Sequence, residues 1–339
     1  MTGRQYESRP EDIRSPEFAI LGAGGIGSIL GAHLRRAGHS VAMIARGERA
    51  RYIERNGLQI RGLAEFSAPA RVVREPSELS GAEVLIVAMK TPGTAQALDR
   101  LRDLPFSTAF SIQNGLYKND LLTECFGRER VLGALADTSG ELLDSGEVLF
   151  TRNVSITLGE LSGEISSRAR KVADIIDRSG VNAVTTHNIL GLEWSKFCVW
   201  AGMMALSVIT RASTWRYLLD PASALIVARV VRELGAVAMA LGIELTDESV
   251  LPVAKMCSES ESQSVDAVIA VGARFQCSAP GHRMSSLQDL EARRPLEIEE
   301  TLGFALREAK RLGRLVPALE LLYGAASVID RLNRSPADK

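Results

Sequence analysis

A glycine-rich turn near the start of the chain constrains its fold more than any other feature. The segment Gly22–Gly27 reads Gly-Ala-Gly-Gly-Ile-Gly and fits the pattern G-x-G-x-x-G. The apolar run Phe18–Leu21 before it predicts a β-strand, and Gly27–Ala37 after it predicts a helix that ends at Gly38. Ser40–Ala45 predicts a second strand. Together these segments predict a βαβ unit, the setting in which the glycine pattern binds a dinucleotide.

Each glycine of this turn has a physical role in such a site. Gly22 permits the tight turn, Gly24 has no side chain to block a pyrophosphate, and Gly27 lets the helix pack close to the strand. The free N–H groups at the start of the helix then face the phosphates. The alternatives are a plain βα turn, and a packing role for Gly25 and Gly31. The predicted cofactor contacts of the turn are Gly22, Ala23, Gly24, Gly25, Ile26 and Gly27.

The alternation of strands and helices continues through the first half of the chain. It predicts a doubly wound, mostly parallel α/β sheet with a β-rich stretch at its far edge. The predicted strands are Val84–Ala88, Thr108–Ile112, Val131–Ala136 and Val154–Gly159, and the predicted helices are Thr94–Leu101 and Ile165–Arg178.

The second half of the chain is predicted to be helical. Asp220-Pro221 is a strong helix start, because aspartate caps a helix and proline suits its first turn. We expect a flexible tail at 1–16, a Rossmann-type NADP-binding domain at 17–187 and an all-helical substrate and catalytic domain at 188–333. The predicted helices are Ile189–Arg211, Pro221–Leu241, Ser286–Ala292, Pro295–Leu312 and Pro317–Leu332, with Ser258–Ser264 as a polar loop.

Composition excludes several classes of protein. The net charge of -1 over 339 residues provides no strong field for nucleic acid or anionic lipid. No run of about 18 uncharged apolar residues predicts a membrane span. The four cysteines are far apart and the four histidines lack zinc-ligand spacing, so no metal is expected. We expect a soluble cytoplasmic protein with a small-molecule substrate; a homodimer through the long apolar helix at 222–241 is left open.

The residue after the second strand bears on the choice of cofactor. An NAD-binding unit commonly has an acid there for the ribose 2′-hydroxyl, whereas this chain has Arg46. A guanidinium suits the 2′-phosphate of NADPH. Lys90 also follows a strand, at the edge where such sheets bind ligands. The alternatives are that Glu48 contacts the ribose and that Arg46 is a solvated surface charge.

Beyond these features, the chain resembles the ketopantoate reductases (2-dehydropantoate 2-reductases) from about Phe18 to Leu332. The resemblance rests on several short segments that follow the family's order and are specific together. They are Gly22–Gly27, Ala45-Arg46-Gly47, Lys90, Gln113-Asn114-Gly115, Trp194-Ser-Lys196, Ser285-Ser-Leu-Gln-Asp289 and Glu297-Ile298.

The resemblance implies a Rossmann domain followed by a helical domain, with NADPH delivering hydride to the C2 carbonyl of a 2-oxo acid. It implies that Lys196 is the general acid, that Glu297 contacts the substrate or the lysine, and that Asn114 holds the lysine and the nicotinamide end. Ser285 would donate to the substrate carboxylate. The alternatives are a solvated lysine, a first-turn acid at Glu297 and a helix cap at Ser285.

The chain departs from the family at two positions on the lysine's helix. The family has asparagines four and eight residues after the lysine, whereas this chain has Trp200 and Met204. Both positions fall within about 80° of Lys196 around a helix, so both are predicted substrate contacts. The first expectation is reduction of 2-dehydropantoate to pantoate, in pantothenate biosynthesis. The alternatives are a bulkier carbonyl or hydroxy acid and a regulatory protein that binds NADPH without turnover.

Overall fold

The computed structural model of the protein describes residues 15–334, so the tail predicted at 1–16 lies almost wholly outside the described residues. The chain divides into two compact units. Unit 1 contains the residues up to Gln113 together with Lys118–Ile189, and unit 2 contains Asn114–Tyr117 together with the residues from Leu190 onward. The short segment 114–117 thus belongs to unit 2, although its flanks belong to unit 1.

Unit 1 is built on one sheet that contains ten strands within the described residues. The strands are β1 Phe18–Leu21, β2 Val41–Ile44, β3 Leu58–Gly62, β4 Phe66–Ala68, β5 Arg71–Val73, β6 Ala82–Val87, β7 Phe106–Ser111, β8 Val131–Leu142, β9 Val148–Glu160 and β10 Ala183–Thr185. The strand order is β4-β3-β9-β8-β7-β6-β1-β2-β5, and β10 pairs with β9.

The central strands of this sheet are parallel and buried. Every residue of β1 and β2 is buried, which explains why both read as unbroken apolar runs. Leu21 at the end of β1 pairs with Ile44 of β2 and Val87 of β6. The carboxyl ends of these three strands therefore meet at one edge of the sheet, and the turns that follow them emerge side by side. This arrangement confirms the predicted Rossmann-type sheet.

The helices that begin in or beside unit 1 follow the strands in the predicted alternation. The first, α1, starts at Gly25, two residues earlier than the sequence pattern suggested, because Gly24 serves as its N-cap. The helix after β2, the helix after β7 and the short strands β3 to β5 and β10 were not predicted. These helices are α1 Gly25–Arg36, α2 Gly47–Asn56, α3 Thr94–Asp99, α4 Tyr117–Phe126 and α5 Ser167–Arg178, with 3-10 turns at Pro76–Glu78 and Arg128–Arg130.

Unit 2 is helical, as predicted, and the described part of it contains no strand. Asp220 caps the helix Pro221–Ala240 as expected, since its carboxylate accepts a hydrogen bond from the N–H of Ser223 at 2.9 Å. The helices are α6 Ile189–Thr210, α7 Thr214–Leu219, α8 Pro221–Ala240, α9 Val253–Ser258, α10 Glu261–Ser278, α11 Ser285–Glu291, a π-helical turn Glu299–Gly303, α12 Phe304–Arg311 and α13 Pro317–Arg334.

Helix α6 is more apolar than the sequence analysis recognised. It is the one helix in the described chain long and apolar enough to cross a membrane by length and composition, although Glu193 and Lys196 interrupt its apolar run. Within its most apolar window, however, 83% is buried inside the protein. Helix α8 likewise contributes its apolar face to the core of unit 2. Core packing therefore accounts for the long apolar runs of both helices.

Two predicted segments of unit 2 were wrong. The polar stretch Ser258–Ser264 is not a loop, because α10 begins inside it at a capping box formed by Ser260 and Gln263. The helix expected from Pro295 begins only at Glu299, as a π-helical turn. There the N–H of Gly303 donates to the carbonyl oxygen of Ile298 at 3.0 Å, five residues back. Such turns occur often at functional sites.

Candidate functional site

The glycine turn of unit 1 has the geometry that its sequence pattern predicts. Gly22 has a φ of 107°, and a Cβ there would lie 2.6 Å from the backbone nitrogen of Met89. A Cβ at Gly27 would collide with the carbonyl oxygen of Gly22. A Cβ at Gly24, by contrast, would have no heavy atom within 4 Å. The outer two glycines are therefore required by packing, whereas Gly24 faces open space.

Two neighbouring glycines serve packing. A Cβ on Gly25 would collide with the carbonyl oxygen of Gly140 in β8, and one on Gly31 would lie 2.5 Å from the sulfur of Met43. These contacts support the packing role considered for both. Gly25 still lies at the start of α1, whose first intrahelical bond runs from the N–H of Ser28 to Gly24. The N–H groups of the first turn therefore have no acceptor within the helix itself.

The predicted phosphate-binding cations lie on this edge of the sheet. Arg46 is exposed and occupies the N-cap position of α2, two residues after β2 ends. Lys90 is also exposed, three residues after β6 ends. Glu48, the alternative ribose contact, pairs with Arg51, and this hydrogen bond holds the pKa of its carboxyl below the usual value. The pairing makes Glu48 a weaker candidate than Arg46.

Arg49 was missed by the sequence analysis. Its guanidinium donates to the carbonyl oxygen of Ala23 at 2.8 Å, the hydroxyl of Ser28 at 2.8 Å and the carbonyl oxygen of Gly146 at 2.6 Å. Burial lowers its pKa from the usual arginine value. The only sequence signal for this role is its place in the first turn of α2.

Polar side chains also join the ends of β6 and β7. The Gln113 amide donates to the carbonyl oxygen of Met89 at 2.9 Å and to the hydroxyl of Thr94 at 2.7 Å. Lys118 is buried and donates to the carbonyl oxygen of Gln113 at 3.1 Å. These bonds fix the residues that lead into and out of Asn114. Lys118 was not singled out from the sequence, where it reads as an ordinary surface lysine.

Lys196 lies on α6 in unit 2, between aromatic neighbours. Trp194 and Phe197 are buried and pack edge to face with ring centroids 6.4 Å apart, whereas Lys196 itself is only partly buried. The hydroxyl of Ser195 accepts a hydrogen bond from the N–H of Thr246 at 2.8 Å. The neighbours of Lys196 are thus buried or hydrogen-bonded, so the helix face on either side of it is not a fully exposed one.

Trp200 and Met204, the two residues of α6 that differ from the family pattern, have different surroundings. Trp200 is partly exposed and stacks on Phe197 at 6.1 Å with an interplanar angle of 28°. Met204 is 1% exposed and belongs to the core of unit 2. Only Trp200 therefore has surface available to a ligand. Met204 could contact a substrate only if the surrounding core opened.

Asn114 and Glu297 both belong to unit 2, and residues that follow each of them in the chain are in contact. A Cβ on Gly115 would lie 2.9 Å from the methyl group of Thr301, and Tyr117 stacks on Phe304 at 5.4 Å. Glu297 precedes the π-helical turn, and its carbonyl oxygen accepts a hydrogen bond from the hydroxyl of Thr301. Since no helix begins at Pro295, interpreting Glu297 as a first-turn acid is wrong.

Ser285 is exposed in the first turn of α11. The N-cap of that helix is Met284, so Ser285 is not the helix cap considered as an alternative. Its neighbour Ser286 is buried and shares a 3.0 Å hydrogen bond with Ser207 of α6. This bond ties α11 to α6. The structure thus brings Asn114, Lys196, Trp200, Ser285 and Glu297 into one compact unit.

Comparison with known proteins agrees with this arrangement. The family model for the ketopantoate reductase PanE/ApbA matches residues 18–163, and its C-terminal model matches residues 188–330. A 2-dehydropantoate 2-reductase of Archaeoglobus fulgidus is 26% identical over 303 residues, which cover 89% of this chain and 93% of the relative.

Two solved structures have the same fold. A PanE/ApbA family ketopantoate reductase from Ralstonia eutropha JMP134 superimposes with a TM-score of 0.80 at 25% identity, over 94% of this chain and 99% of the other. D-mandelate dehydrogenase with NADH and anilino(oxo)acetate gives a TM-score of 0.80 at 23% identity, over the same shares of the two chains. With both of its halves matched in order, the chain belongs to the ketopantoate reductase PanE/ApbA family of oxidoreductases.

Proposed function

We propose that this oxidoreductase uses NADPH to reduce a 2-oxo acid to the corresponding 2-hydroxy acid. The observation that carries the proposal is the position of Lys196. This lysine is partly buried on α6 between fixed aromatic neighbours, in the same unit as Asn114, Ser285 and Glu297. A carbonyl that accepts hydride develops negative charge on oxygen, so the reaction needs a proton donor or a cation close by.

The residues of the glycine turn fit the phosphates of such a cofactor. The open space at Gly24 and the N–H groups at the start of α1 provide room and hydrogen-bond donors for a pyrophosphate. Arg46 would hold the 2′-phosphate of NADPH and Lys90 the same adenosine region. When bound, the cofactor supplies a hydride to the C2 carbonyl of the substrate.

The side chains of unit 2 would supply the rest of the chemistry. Lys196 would donate a proton to the carbonyl oxygen as it becomes a hydroxyl. Glu297 would contact the lysine or the substrate, and Asn114 would hold the lysine and the nicotinamide end. The Ser285 hydroxyl, which capping does not use, would donate to the substrate carboxylate.

The first candidate substrate is 2-dehydropantoate. It is supported by family membership and by the name of the relative from Archaeoglobus fulgidus, which is similar over nearly its whole length. Pantoate would then be the product, and the reaction would serve pantothenate biosynthesis. The free state of all four cysteines is compatible with a reducing, cytoplasmic location.

The second candidate is a 2-oxo acid with a bulkier, more apolar group beside the carbonyl. Trp200 favours it, because a partly exposed indole stands where the family has an asparagine. D-mandelate dehydrogenase, which shares the fold, was solved with the aromatic acid anilino(oxo)acetate. In this proposal Trp200 contacts the substrate directly, whereas Met204 acts by packing.

An NADPH-oxidation screen tests both candidates. The panel contains 2-dehydropantoate, 2-oxoisovalerate and phenylglyoxylate, with Lys196→Ala as the inactive control. A kcat/KM for 2-dehydropantoate above about 10⁴ M⁻¹s⁻¹, and above those of the other acids, would exclude the bulkier substrate. The reverse order would exclude 2-dehydropantoate. Binding of NADPH with no oxidation across the panel would instead favour a regulatory protein.

A further inference from the structure

We propose that Arg49 is a positioning residue for the dinucleotide phosphates. It holds the Ala23–Gly24 peptide of the glycine turn in one orientation and adds positive charge beside it. This inference rests on the dinucleotide binding of the proposed function. It assigns a role to a residue that neither the G-x-G-x-x-G pattern nor the family resemblance singled out.

The contacts of Arg49 converge on that peptide. Its Nε donates to the carbonyl oxygen of Ala23 at 2.8 Å, and its Nη2 donates to the hydroxyl of Ser28 at 2.8 Å. The hydroxyl of Ser28 in turn donates to the same carbonyl oxygen at 3.0 Å. The Ala23 carbonyl therefore receives two hydrogen bonds from one side, and the two donors support each other.

Peptide planarity links these bonds to the ligand. In a trans peptide the C=O and the next N–H point in opposite directions, and no described bond is cis. With the Ala23 carbonyl directed at Arg49 and Ser28, the N–H of Gly24 points away from both. A Cβ on Gly24 would meet no atom within 4 Å, so there is open space beside this peptide. The two donors thus orient a peptide of the phosphate-binding turn.

Arg49 also connects the turn to a neighbouring hairpin. Its Nη1 donates at 2.6 Å to the carbonyl oxygen of Gly146, in the connection between β8 and β9. The ring of Tyr52 lies 5.3 Å from the guanidinium and packs against Gly146. Because Gly140 of β8 also packs against Gly25, the hairpin and the turn are held together at two points.

The charge of Arg49 is the second part of the argument. Its three acceptors are two carbonyl oxygens and a hydroxyl, all of them neutral. A partly buried cation among neutral acceptors loses solvation without gaining an opposite charge. A bound pyrophosphate would supply that opposite charge. Since NADH and NADPH share the pyrophosphate, Arg49 is expected to serve both, whereas Arg46 is expected to distinguish them.

Fluorescence titrations with NADPH and with NADH test this division of roles. The proteins compared are the wild type, Arg49→Lys, Arg49→Gln and, as a matched control, Arg46→Gln. Lysine keeps the charge but cannot span the three acceptors. We therefore expect Arg49→Lys to weaken both cofactors equally, by about tenfold, and Arg49→Gln to weaken both further. Arg46→Gln should weaken NADPH alone.

Two outcomes would overturn the role of Arg49. One is that Arg49→Lys binds both cofactors within about twofold of the wild type, which is under 0.5 kcal/mol. The other is a loss confined to NADPH, which would mean that Arg49 contacts the 2′-phosphate. If the wild type binds neither cofactor, the proposed function fails instead.

Melting curves without cofactor show whether each variant folds. If the Arg49 variants do not fold, Ser28→Ala removes only one of the two donors to the Ala23 carbonyl. We expect this variant to weaken both cofactors by about threefold. Unchanged affinity for both in a folded Ser28→Ala protein would also overturn the inference.

Discussion

The glycine turn of unit 1 and the Lys196 helix of unit 2 present their functional groups in different ways. In our proposal the turn binds through its backbone, and packing requires its outer glycines, since a Cβ at Gly22 or Gly27 would meet other backbone atoms. Helix α6 is proposed to act through side chains, and its partly exposed positions can carry many residue types without altering the backbone. The proposed cofactor site could therefore be predicted from a sequence pattern, whereas the proposed choice of substrate depends on individual side chains such as Trp200.

The largest expected effect tests whether proton donation depends on unit 2 and cofactor binding on unit 1. Lys196→Ala should lower kcat by about a thousandfold, because general acid catalysis typically contributes 10²- to 10⁴-fold. The affinity for NADPH should stay within twofold of the wild type, since unit 1 is proposed to hold the phosphates. Stopped-flow kinetics and fluorescence titration measure the two quantities. A loss of NADPH binding in a folded Lys196→Ala protein would contradict this separation.

A pair of glycine variants tests whether the turn works through its backbone. Gly24→Val should bind NADPH at least tenfold more weakly with an unchanged Tm, because its side chain enters open space that a pyrophosphate would occupy. Gly27→Val should instead lower stability, by about 1–3 kcal/mol, since the added atoms collide with Gly22. Gly324→Val, at an exposed position of α13, is a control for β-branched substitution. Unchanged NADPH affinity in Gly24→Val would refute the phosphate site.

Placing an asparagine on α6, as in the family pattern, tests whether side chains of this helix determine the choice of substrate. Trp200→Asn should raise kcat/KM for 2-dehydropantoate relative to phenylglyoxylate by about tenfold, the effect of one hydrogen bond together with a lost ring contact. Met204→Asn should mainly reduce stability, because it places an amide in a buried core. Steady-state kinetics on both acids gives the ratio. An unchanged ratio for Trp200→Asn would remove Trp200 from the substrate site.

The smallest expected effect is a pH response confined to unit 1. His33 is buried between Phe66 and Phe150, and burial is the main cause of its lowered pKa. The unfolded chain, with a histidine pKa near 6.5, then binds more protons than the folded state. Stability should fall as the pH drops through about 6.5 toward the lower folded pKa.

Comparison of melting curves at pH 7.5 and 5.5 measures this response. The wild type should lose roughly 2–4 °C more than His33→Asn, whose Nδ2 takes the position of the histidine Nδ1 and can still donate to the carbonyl oxygen of Ser179. The loss should appear in the transition of unit 1 if the two units melt separately. Equal shifts in the two proteins would show that His33 does not set the acid sensitivity.

The sequence predicted those parts of the molecule that follow from periodicity and from glycine geometry. It gave the order of β1, α1, β2 and β6, the helical second half and the aspartate cap of α8. It missed β3 to β5, because these short strands lack the unbroken apolar runs by which β1 and β2 were recognised. It also missed the capping box of α10, although Ser260 and Gln263 have the required spacing.

The missed parts of the site are contacts between segments far apart in the chain. Arg49 meets Gly146 across 97 positions, and Ser286 meets Ser207 across 79. No local sequence pattern predicts a contact between segments so far apart in the chain. The burial of Met204 was missed for a related reason: helix periodicity places it on the side of Lys196, but packing determines how much of that side is covered.

The π-helical turn at Glu299–Gly303 limits which sequence changes near Glu297 would preserve the direction of its carboxylate. A wide turn of this kind accommodates one residue more than an α-helical turn would. The turn therefore sets the angle around the helix axis between Glu297 and the face of α12 that packs into the core. Loss of a single residue from the turn would rotate the preceding segment by about 100° relative to α12. Substitution of an exposed residue in this turn would leave the direction of the Glu297 carboxylate unchanged, whereas deletion of one residue would turn it away.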